Sequence, residues 1–389
     1  TEVYSLNIFF VTTLMLGMLS LFKTESDSRF FRYYRPLLGF LLGLGLGNHL
    51  TLAMVAVPFV IWSYLWQDKT STTKQRFSDV LVPLGFLGGL SIYLYAPLAS
   101  LAKPDLNWGH PHTWEGFWWM ISGALYQDYQ FGVEASFLLD RIIQLGDLLL
   151  SQYGFIGLVF ALVGVSVIWE SMRGFAIAGA TSILVVTAYS VTYDTPDSFL
   201  YLIPCFVIVG LWMGSGFTVL ITTVGRFIEG LDPQRVKIQI SSLVRLVSVG
   251  LIVAILLAIP GYSLFTHHSS LNLRADTEAS TFAKLAFKEA GSGSVILADL
   301  STHIFPLWYR SYVEDKDADI LVVSVNHLQF DWYWDDLRRQ YPERIPNQRP
   351  VEFRYRALAV ADYNLGIRPV YMVGIVPVYE DVYEVTLSG

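Results

Sequence analysis

The sequence predicts a polytopic α-helical membrane protein with a C-terminal α/β domain. Apolar residues make up 53% of the 389-residue chain and charged residues 15%, and the mean hydropathy of +0.46 lies outside the usual soluble range. The charges are also segregated, because residues 264–389 hold 12 of the 26 Lys and Arg and 17 of the 33 Asp and Glu. We therefore predict a multi-pass transmembrane domain over residues 1–263 and an α/β domain over residues 264–389.

Apolar blocks separated by polar connections predict the membrane helices. The blocks are residues 5–22, 37–66, 80–98, 154–169, 175–191, 199–220 and 246–263. The chain enters the first block within five residues of Thr1, with no signal peptide before it. We expect a fragment whose upstream membrane helices are missing.

The basic residues of the connections predict the orientation. Connections 23–35, 67–79, 170–174 and 221–245 hold 12 Lys and Arg, whereas 99–153 and 192–198 hold only Lys103 and Arg141. Lys and Arg in short loops mark the cytoplasmic side. The four basic connections are therefore predicted to be cytoplasmic, and residues 99–153 and 264–389 to be extracytoplasmic.

The block 37–66 contains the stretch GLGLGNHLTLA (43–53), in which Asn48 and His49 follow three glycines. If this block crossed the membrane once, every later connection would change sides. Two half-helices that meet at Asn48 and His49 keep both flanking loops inside, which brings the total to about eight passes. Polar side chains at such a junction face protein or a water-filled cavity rather than lipid.

The longest outer connection contains PDLNWGHPH (104–112), whose Pro and Gly predict a shaped loop. This loop, with Lys103 before it, is predicted to present polar groups over a cavity; they are Asp105, Asn107, His110 and His112. An H-x-H pair with Glu115 and His49 is weak evidence for zinc or manganese, so no metal site is predicted and a divalent ion stays an open question.

Two further features of the outer connections have alternative readings. Trp118 and Trp119 fit the aromatic belt that membrane proteins place at the bilayer surface. Asp194 and Asp197 in the turn TYDTPDSF (192–199) are either site residues or ordinary loop aspartates.

Residues 276–376 alternate between helical and strand patterns. Three short apolar segments predict strands, SVILAD, DILVVSV and RPVYMVGIVP, and amphipathic segments between them predict helices. Such alternation predicts a small parallel sheet. No glycine-rich phosphate motif follows a strand, and nothing in the sequence indicates nucleic acid or a cofactor.

Five stretches together resemble a known family. They are TEVYSLN (1–7), GLGLGNHLTLA (43–53), PDLNWGHPHTWEGF (104–117), TYDTPDSFLYLIP (192–204) and DADILVVSVNHLQFDWYWDDLRR (317–339). The family is an uncharacterised-domain family of polytopic membrane proteins within the GT-C fold glycosyltransferases. It includes the animal endoplasmic-reticulum O-mannosyltransferase of plexin-type receptors.

The resemblance implies transfer of a sugar, for which mannose is the family's example, from a polyprenyl-phosphate donor to a hydroxyl of a protein or glycan acceptor. It further implies that the reaction takes place on the extracytoplasmic side of an endoplasmic-reticulum or bacterial inner membrane. It also implies a catalytic acidic residue in an earlier outer loop, upstream of this chain. In this chain Glu2 is the candidate for the carboxylate that takes the acceptor proton. The candidates for substrate binding are Asn48, His49, Lys103, Asp105, Asn107, His110, His112, Asp194 and Asp197.

Two alternatives compete with an inverting glycosyltransferase. A transporter or flippase of lipid-linked sugar also uses half-helices, although such proteins commonly have repeated halves and no repeat is visible here. A non-catalytic membrane subunit is the other alternative.

Overall fold

A computed structural model describes residues 3–23, 29–65, 73–230 and 238–374. It divides into two compact units, which we call the helical unit (residues 1–95 and 123–263) and the α/β unit (residues 96–122 and 264–389). The segment 96–122 packs in the α/β unit, although the sequence analysis placed it in the transmembrane domain.

Helices account for most of the chain up to residue 271. They are α1 Val3–Lys23, α2 Arg29–Asn48, α3 Leu52–Leu65, α4 Thr73–Leu90, α5 Tyr95–Leu101, α6 Trp114–Ile121, α7 Leu138–Ser171, α8 Arg173–Thr192, α9 Ile203–Gly230 and α10 Ile238–Leu271. Among the described residues, five helical stretches are long and apolar enough to cross a membrane: Val3–Ser20, Val80–Leu101, Ala135–Ser171, Arg173–Thr192 and Ser198–Arg226. The count of eight passes and the orientation stay predictions.

The apolar block 37–66 is broken where the sequence analysis expected it. α2 ends at Asn48 and α3 begins at Leu52, and the turn between them is closed by the Leu52 N–H, which donates to the His49 carbonyl at 3.1 Å. α3 is 14 residues long, whereas α2 has 20 residues, so only one of the pair is a short helix. The apolar part of α2 runs only from Pro36, because its first turns contain Arg29, Arg32 and Arg35.

Glycines allow α2 and α4 to pack backbone against backbone. A Cβ atom on Gly89 of α4 would overlap the Phe40 carbonyl oxygen and lie 2.6 Å from the Leu44 nitrogen. On α2, a Cβ on Gly43 would overlap the Phe86 carbonyl in the same way. Gly43 therefore permits the close helix approach that small residues give membrane helices.

α7 is longer than the apolar block 154–169 that it contains. Residues 138–153 form a preceding segment of the same helix, and the two segments meet at a kink at Gly154, whose φ of 62° and ψ of 169° are not helical. Glycine reaches this left-handed φ without the steric cost that a Cβ atom brings. The two segments therefore continue through one bent helix.

The α/β unit contains the predicted parallel sheet. β1 (Val295–Ala298) lies between β2 (Leu321–Ser324) and β3 (Val370–Val373), and both pairings are parallel. Because helices cover both faces of a parallel sheet, its strands are buried, and every residue of β1 and β2 is buried here. The helices are α11 Glu278–Ala290, α12 Ser301–Tyr309, α13 Asp331–Gln340 and α14 Arg356–Asn364. The strand and helix predictions for this region are confirmed.

Candidate functional site

Three of the five stretches that suggested a family meet at one end of the helical unit. Tyr4 begins α1, His49 lies in the α2–α3 turn, and Tyr201 precedes α9. Their ring centroids are 5.6 Å apart for Tyr4 and His49, 5.8 Å for His49 and Tyr201, and 6.5 Å for Tyr4 and Tyr201. These three half-buried rings form what we call the Tyr–His cluster.

Asn48 and His49 are held in place by backbone groups. The Asn48 Nδ2 amide donates to the Val3 carbonyl at 3.1 Å, which fixes the α2–α3 turn against the start of α1. The Thr51 N–H donates to His49 Nδ1 at 3.3 Å, and Thr51 Oγ1 lies 2.7 Å from the same nitrogen. Because a backbone N–H can only donate, Nδ1 is the acceptor, and in the neutral ring the proton is on Nε2.

More tyrosines extend the cluster along α8. Tyr193 lies 5.2 Å from both Tyr201 and Tyr189, and Tyr189 lies 5.5 Å from Tyr201, all between ring centroids. Tyr193 is buried, whereas Tyr189 and Tyr201 are half-buried, and each of these two presents an apolar ring and a polar hydroxyl, a combination suited to a ligand that is partly apolar and partly polar. Tyrosines at helix ends are expected in any membrane protein, so their positions in the sequence do not by themselves indicate a binding site.

Arg141 of α7 holds the turn that carries Asp194 and Asp197. Its Nη2 donates to the carbonyl of Tyr193 at 2.8 Å and to the carbonyl of Ser190 at 3.3 Å, and it also contacts Ser198 Oγ. These carbonyls lie at the end of α8, where a cation is favoured by the helix dipole. No carboxylate of the described residues pairs with Arg141. Asp194 and Asp197 are exposed on this turn.

The polar residues of the PDLNWGHPH loop make their contacts inside the α/β unit. Ser100 Oγ donates to Asn107 Oδ1 at 2.7 Å, and since its one proton is then used, it accepts from His112 Nδ1 at 2.8 Å. His110 Nε2 lies 2.9 Å from Asp336 Oδ2 on α13. Asn107 is buried, whereas Lys103 is exposed.

The rest of this loop is fixed by aromatic and backbone contacts. The Trp108 ring lies 4.7 Å from the His327 ring, and Trp119 lies 5.3 Å from Phe330. Trp119 therefore packs within the α/β unit. Asp105 is exposed, and its carbonyl accepts from Gln340 Nε2 at 2.8 Å.

The structure thus distributes the predicted site residues over both units. Asn48, His49, Asp194 and Asp197 belong to the helical unit. The α/β unit contains Lys103, Asp105, Asn107, His110 and His112. Glu2 lies outside the described residues. Within the described ranges, no group of three or more His, Cys, Asp or Glu side chains has the arrangement of a metal site.

Apolar helices long enough to span a bilayer, joined to an α/β unit, define a polytopic membrane protein. A family model described as "Protein O-mannosyl-transferase TMEM260 N-terminal domain" matches residues 1–74. A second, "TMEM260-associated domain 2", matches residues 279–372. Both describe domains of the TMEM260 family, so the resemblance is confirmed. No curated protein and no solved structure matches the chain.

Proposed function

We propose that this chain is part of a membrane glycosyltransferase that moves a sugar from a polyprenyl-phosphate donor to a hydroxyl of a protein acceptor. Because the matching N-terminal family model is described as a protein O-mannosyl-transferase domain, mannose is the first sugar to test. The observation that carries the proposal is the convergence of Tyr4, His49 and Tyr201 from three distant stretches at one end of the helical unit.

His49 is the proposed donor to the substrate. With Nδ1 engaged by Thr51, the Nε2–H of the neutral ring has no hydrogen-bond partner among the described residues. A preorganised N–H of this kind stabilises negative charge as it develops on a leaving phosphate oxygen. Asn48 orients the turn by binding the Val3 carbonyl, so we propose it as a positioning residue.

The tyrosines are proposed to bind the sugar and the first prenyl unit of the donor. A ligand site of this type combines aromatic walls with a few polar groups that fix the orientation. The half-buried Tyr189 and Tyr201, with ring centroids 5.5 Å apart, supply both kinds of surface, and the buried Tyr193 packs against both of them at 5.2 Å. The exposed carboxylates of Asp194 and Asp197 are the proposed acceptors for sugar hydroxyls.

The proposed reaction is a single displacement that inverts the anomeric carbon. The acceptor oxygen forms a bond to that carbon, the bond from the carbon to the phosphate oxygen breaks, and the phosphate leaves with the electron pair. A carboxylate takes the acceptor proton, a role for which Glu2, next to Val3, is the candidate within this chain. This step needs no cofactor, because the bond formed, the bond broken and the proton transfer involve only the donor, the acceptor and the carboxylate.

The hydrogen bonds within the α/β unit change the roles that we propose for the residues of the PDLNWGHPH loop. Asn107, His110 and His112 are hydrogen-bonded within that unit, which supports a positioning role for them. The exposed Lys103 and Asp105 stay candidates for substrate binding. The basic connections 23–35 and 67–79 support a cytoplasmic side opposite the site, and hence an extracytoplasmic reaction in an endoplasmic-reticulum or bacterial inner membrane.

Purified full-length protein with polyprenyl-phosphate mannose and peptide acceptors tests the proposal. We expect sugar transfer that falls at least tenfold per folded molecule in Tyr201→Ala. The matched control is Tyr95→Ala, since Tyr95 is 72% exposed and makes no ring contact with the Tyr–His cluster. Absence of transfer from any lipid-linked sugar, together with sugar transport into liposomes, would overturn the proposal in favour of a flippase.

A further inference from the structure

The short helix α6 has two faces with different surroundings. On one face, Trp119 packs against Phe330 at 5.3 Å and against Trp332 at 6.3 Å, and Gly116 meets the backbone of Gly109 so closely that a Cβ atom would overlap it. This face fastens α6 to the α/β unit.

The opposite face of α6 is aromatic and exposed. Trp114 is 75% exposed and Trp118 is 48% exposed, and their rings make an edge contact at 5.4 Å because residues four apart lie on the same side of a helix. Phe117 continues this face, with its ring 6.0 Å from that of Trp118. Large exposed aromatic groups in a folded unit mark a surface that contacts something else.

α6 follows closely after a candidate membrane span in the chain. Ser100 lies in the candidate membrane span Val80–Leu101, and its Oγ is 2.8 Å from His112 Nδ1. His112 is only two residues before Trp114, the first residue of α6, and two residues of chain extend over about 7 Å at most. α6 therefore begins close to a residue that is hydrogen-bonded to the end of this span. The next candidate span begins at Ala135. Leu98 and Leu101, on α5 itself, are 67% and 65% exposed.

We propose that α6 is an interfacial helix, whose residues Trp114, Phe117 and Trp118 lie in the headgroup layer of the bilayer. Tryptophan is suited to this position because its ring is apolar while its indole N–H binds the polar headgroup region. The occupant of the exposed face is therefore the lipid headgroup and upper acyl layer. The inference is independent of the proposed enzymatic function.

Depth measurements on single nitroxide labels test the proposal. The chain has one cysteine, Cys205, which is buried, so labels on Trp114→Cys and Trp118→Cys report on the chosen sites after Cys205→Ala. In the full-length protein in lipid nanodiscs, we expect both labels to collide with oxygen more than with a water-soluble nickel complex. This corresponds to a depth of roughly 5–10 Å into the headgroup and acyl boundary.

The matched control is Glu115→Cys, which is exposed on the same helix and is expected to favour the nickel complex. Equal nickel accessibility at positions 114, 115 and 118 would show that α6 lies in water and would overturn the proposal. Shielding of position 118 from both reagents would overturn it as well, because the face would then be covered by protein. As a second readout, Trp114→Gln with Trp118→Gln is expected to reduce quenching of tryptophan fluorescence by brominated lipids.

Discussion

His110 and Asp336 are 226 residues apart in the chain, and their side chains meet with His110 Nε2 2.9 Å from Asp336 Oδ2. Asp336 is almost completely buried and also binds Arg339 at 2.7 Å. His110 itself has a φ of 51°, a left-handed conformation that is uncommon for a residue with a Cβ atom. The contact therefore fixes a loop conformation that local preference alone disfavours.

Removal of the His110 imidazole is expected to destabilise the α/β unit. In His110→Ala, Asp336 loses one of two partners for a buried carboxylate, at a cost of about 1.5–3 kcal/mol for a hydrogen bond to a charged group. The measurement is the melting temperature of the full-length protein in detergent. His268→Ala, at an exposed position of α10, is the control and is expected to change stability by less than about 0.5 kcal/mol. Equal melting temperatures for the two variants would show that the His110 contact contributes nothing.

Substitution of His49 separates catalysis from packing. If Nε2–H stabilises the leaving phosphate, His49→Ala is expected to fold and to lose turnover by about 100-fold, the effect of removing one preorganised donor. His49→Gln keeps a donor and is expected to recover part of that loss. The measurement is turnover per folded molecule, with the melting temperature recorded in parallel. Wild-type turnover in well-folded His49→Ala would limit His49 to a structural role.

The stability of the α/β unit is expected to fall in mild acid because of His327. Burial among aromatic rings lowers the pKa of His327 to about 4. In the unfolded chain the pKa is near 6.5, so between these values the unfolded state binds the additional proton. The stabilisation is therefore complete above pH 6.5 and is lost as pH falls toward 4.

A pH series of melting temperatures from 7.5 to 4.5 measures this effect. His327→Phe keeps an aromatic ring beside Trp108 and Trp308 and removes the titrating group, so its profile is expected to be flatter in this window. Identical slopes for wild type and variant would assign the acid sensitivity to other groups.

Two adjacent glycines of α4 are expected to respond differently to alanine. The Cβ of Gly89→Ala would overlap the α2 backbone, and overpacking of this kind costs about 1–3 kcal/mol or more. Gly88 is the matched control, because its Cβ would have an ordinary contact of 3.7 Å with the Phe40 ring. Thermal stability in detergent is expected to fall for Gly89→Ala and to be kept for Gly88→Ala. A similar loss in both variants would indicate that α2 and α4 do not pack at this pair.

Cysteine labelling of intact cells tests the orientation. Lys74→Cys, in a basic connection, is expected to react only after the membrane is permeabilised, whereas Glu115→Cys is expected to react from outside. Labelling of position 74 from outside would show that this connection is extracytoplasmic and would rule out two passes that meet at Asn48.

The elements with a local signal were predictable from the sequence. The strands around Val295, Leu321 and Val370 are short apolar runs bounded by polar residues, and the structure has a strand at each. The break after Asn48 followed from counting basic residues on both sides of an apolar block. These predictions use only neighbouring residues and simple rules of charge.

Contacts between distant segments were not predictable in this way. Nothing near His110 indicates that its partner is Asp336, and the same loop was therefore expected over a cavity of the membrane domain. The meeting of Tyr4 with Tyr201 was hidden for another reason, since tyrosine at a helix end has an ordinary interfacial explanation. A single sequence contains no information on which distant residues contact each other in the fold.

The packing of residues 96–122 against residues 264–389 has a consequence for biosynthesis. A ribosome that adds about 5–20 residues per second needs roughly 10–45 s to proceed from His110 to Asp336. During that interval Trp108 and Trp119 have been made, while Trp332 and Phe330, their partners, have not. The aromatic side chains of the loop therefore stay without these partners until Phe330 and Trp332 have been translated, which makes this segment the expected binding site for chaperones in the nascent protein.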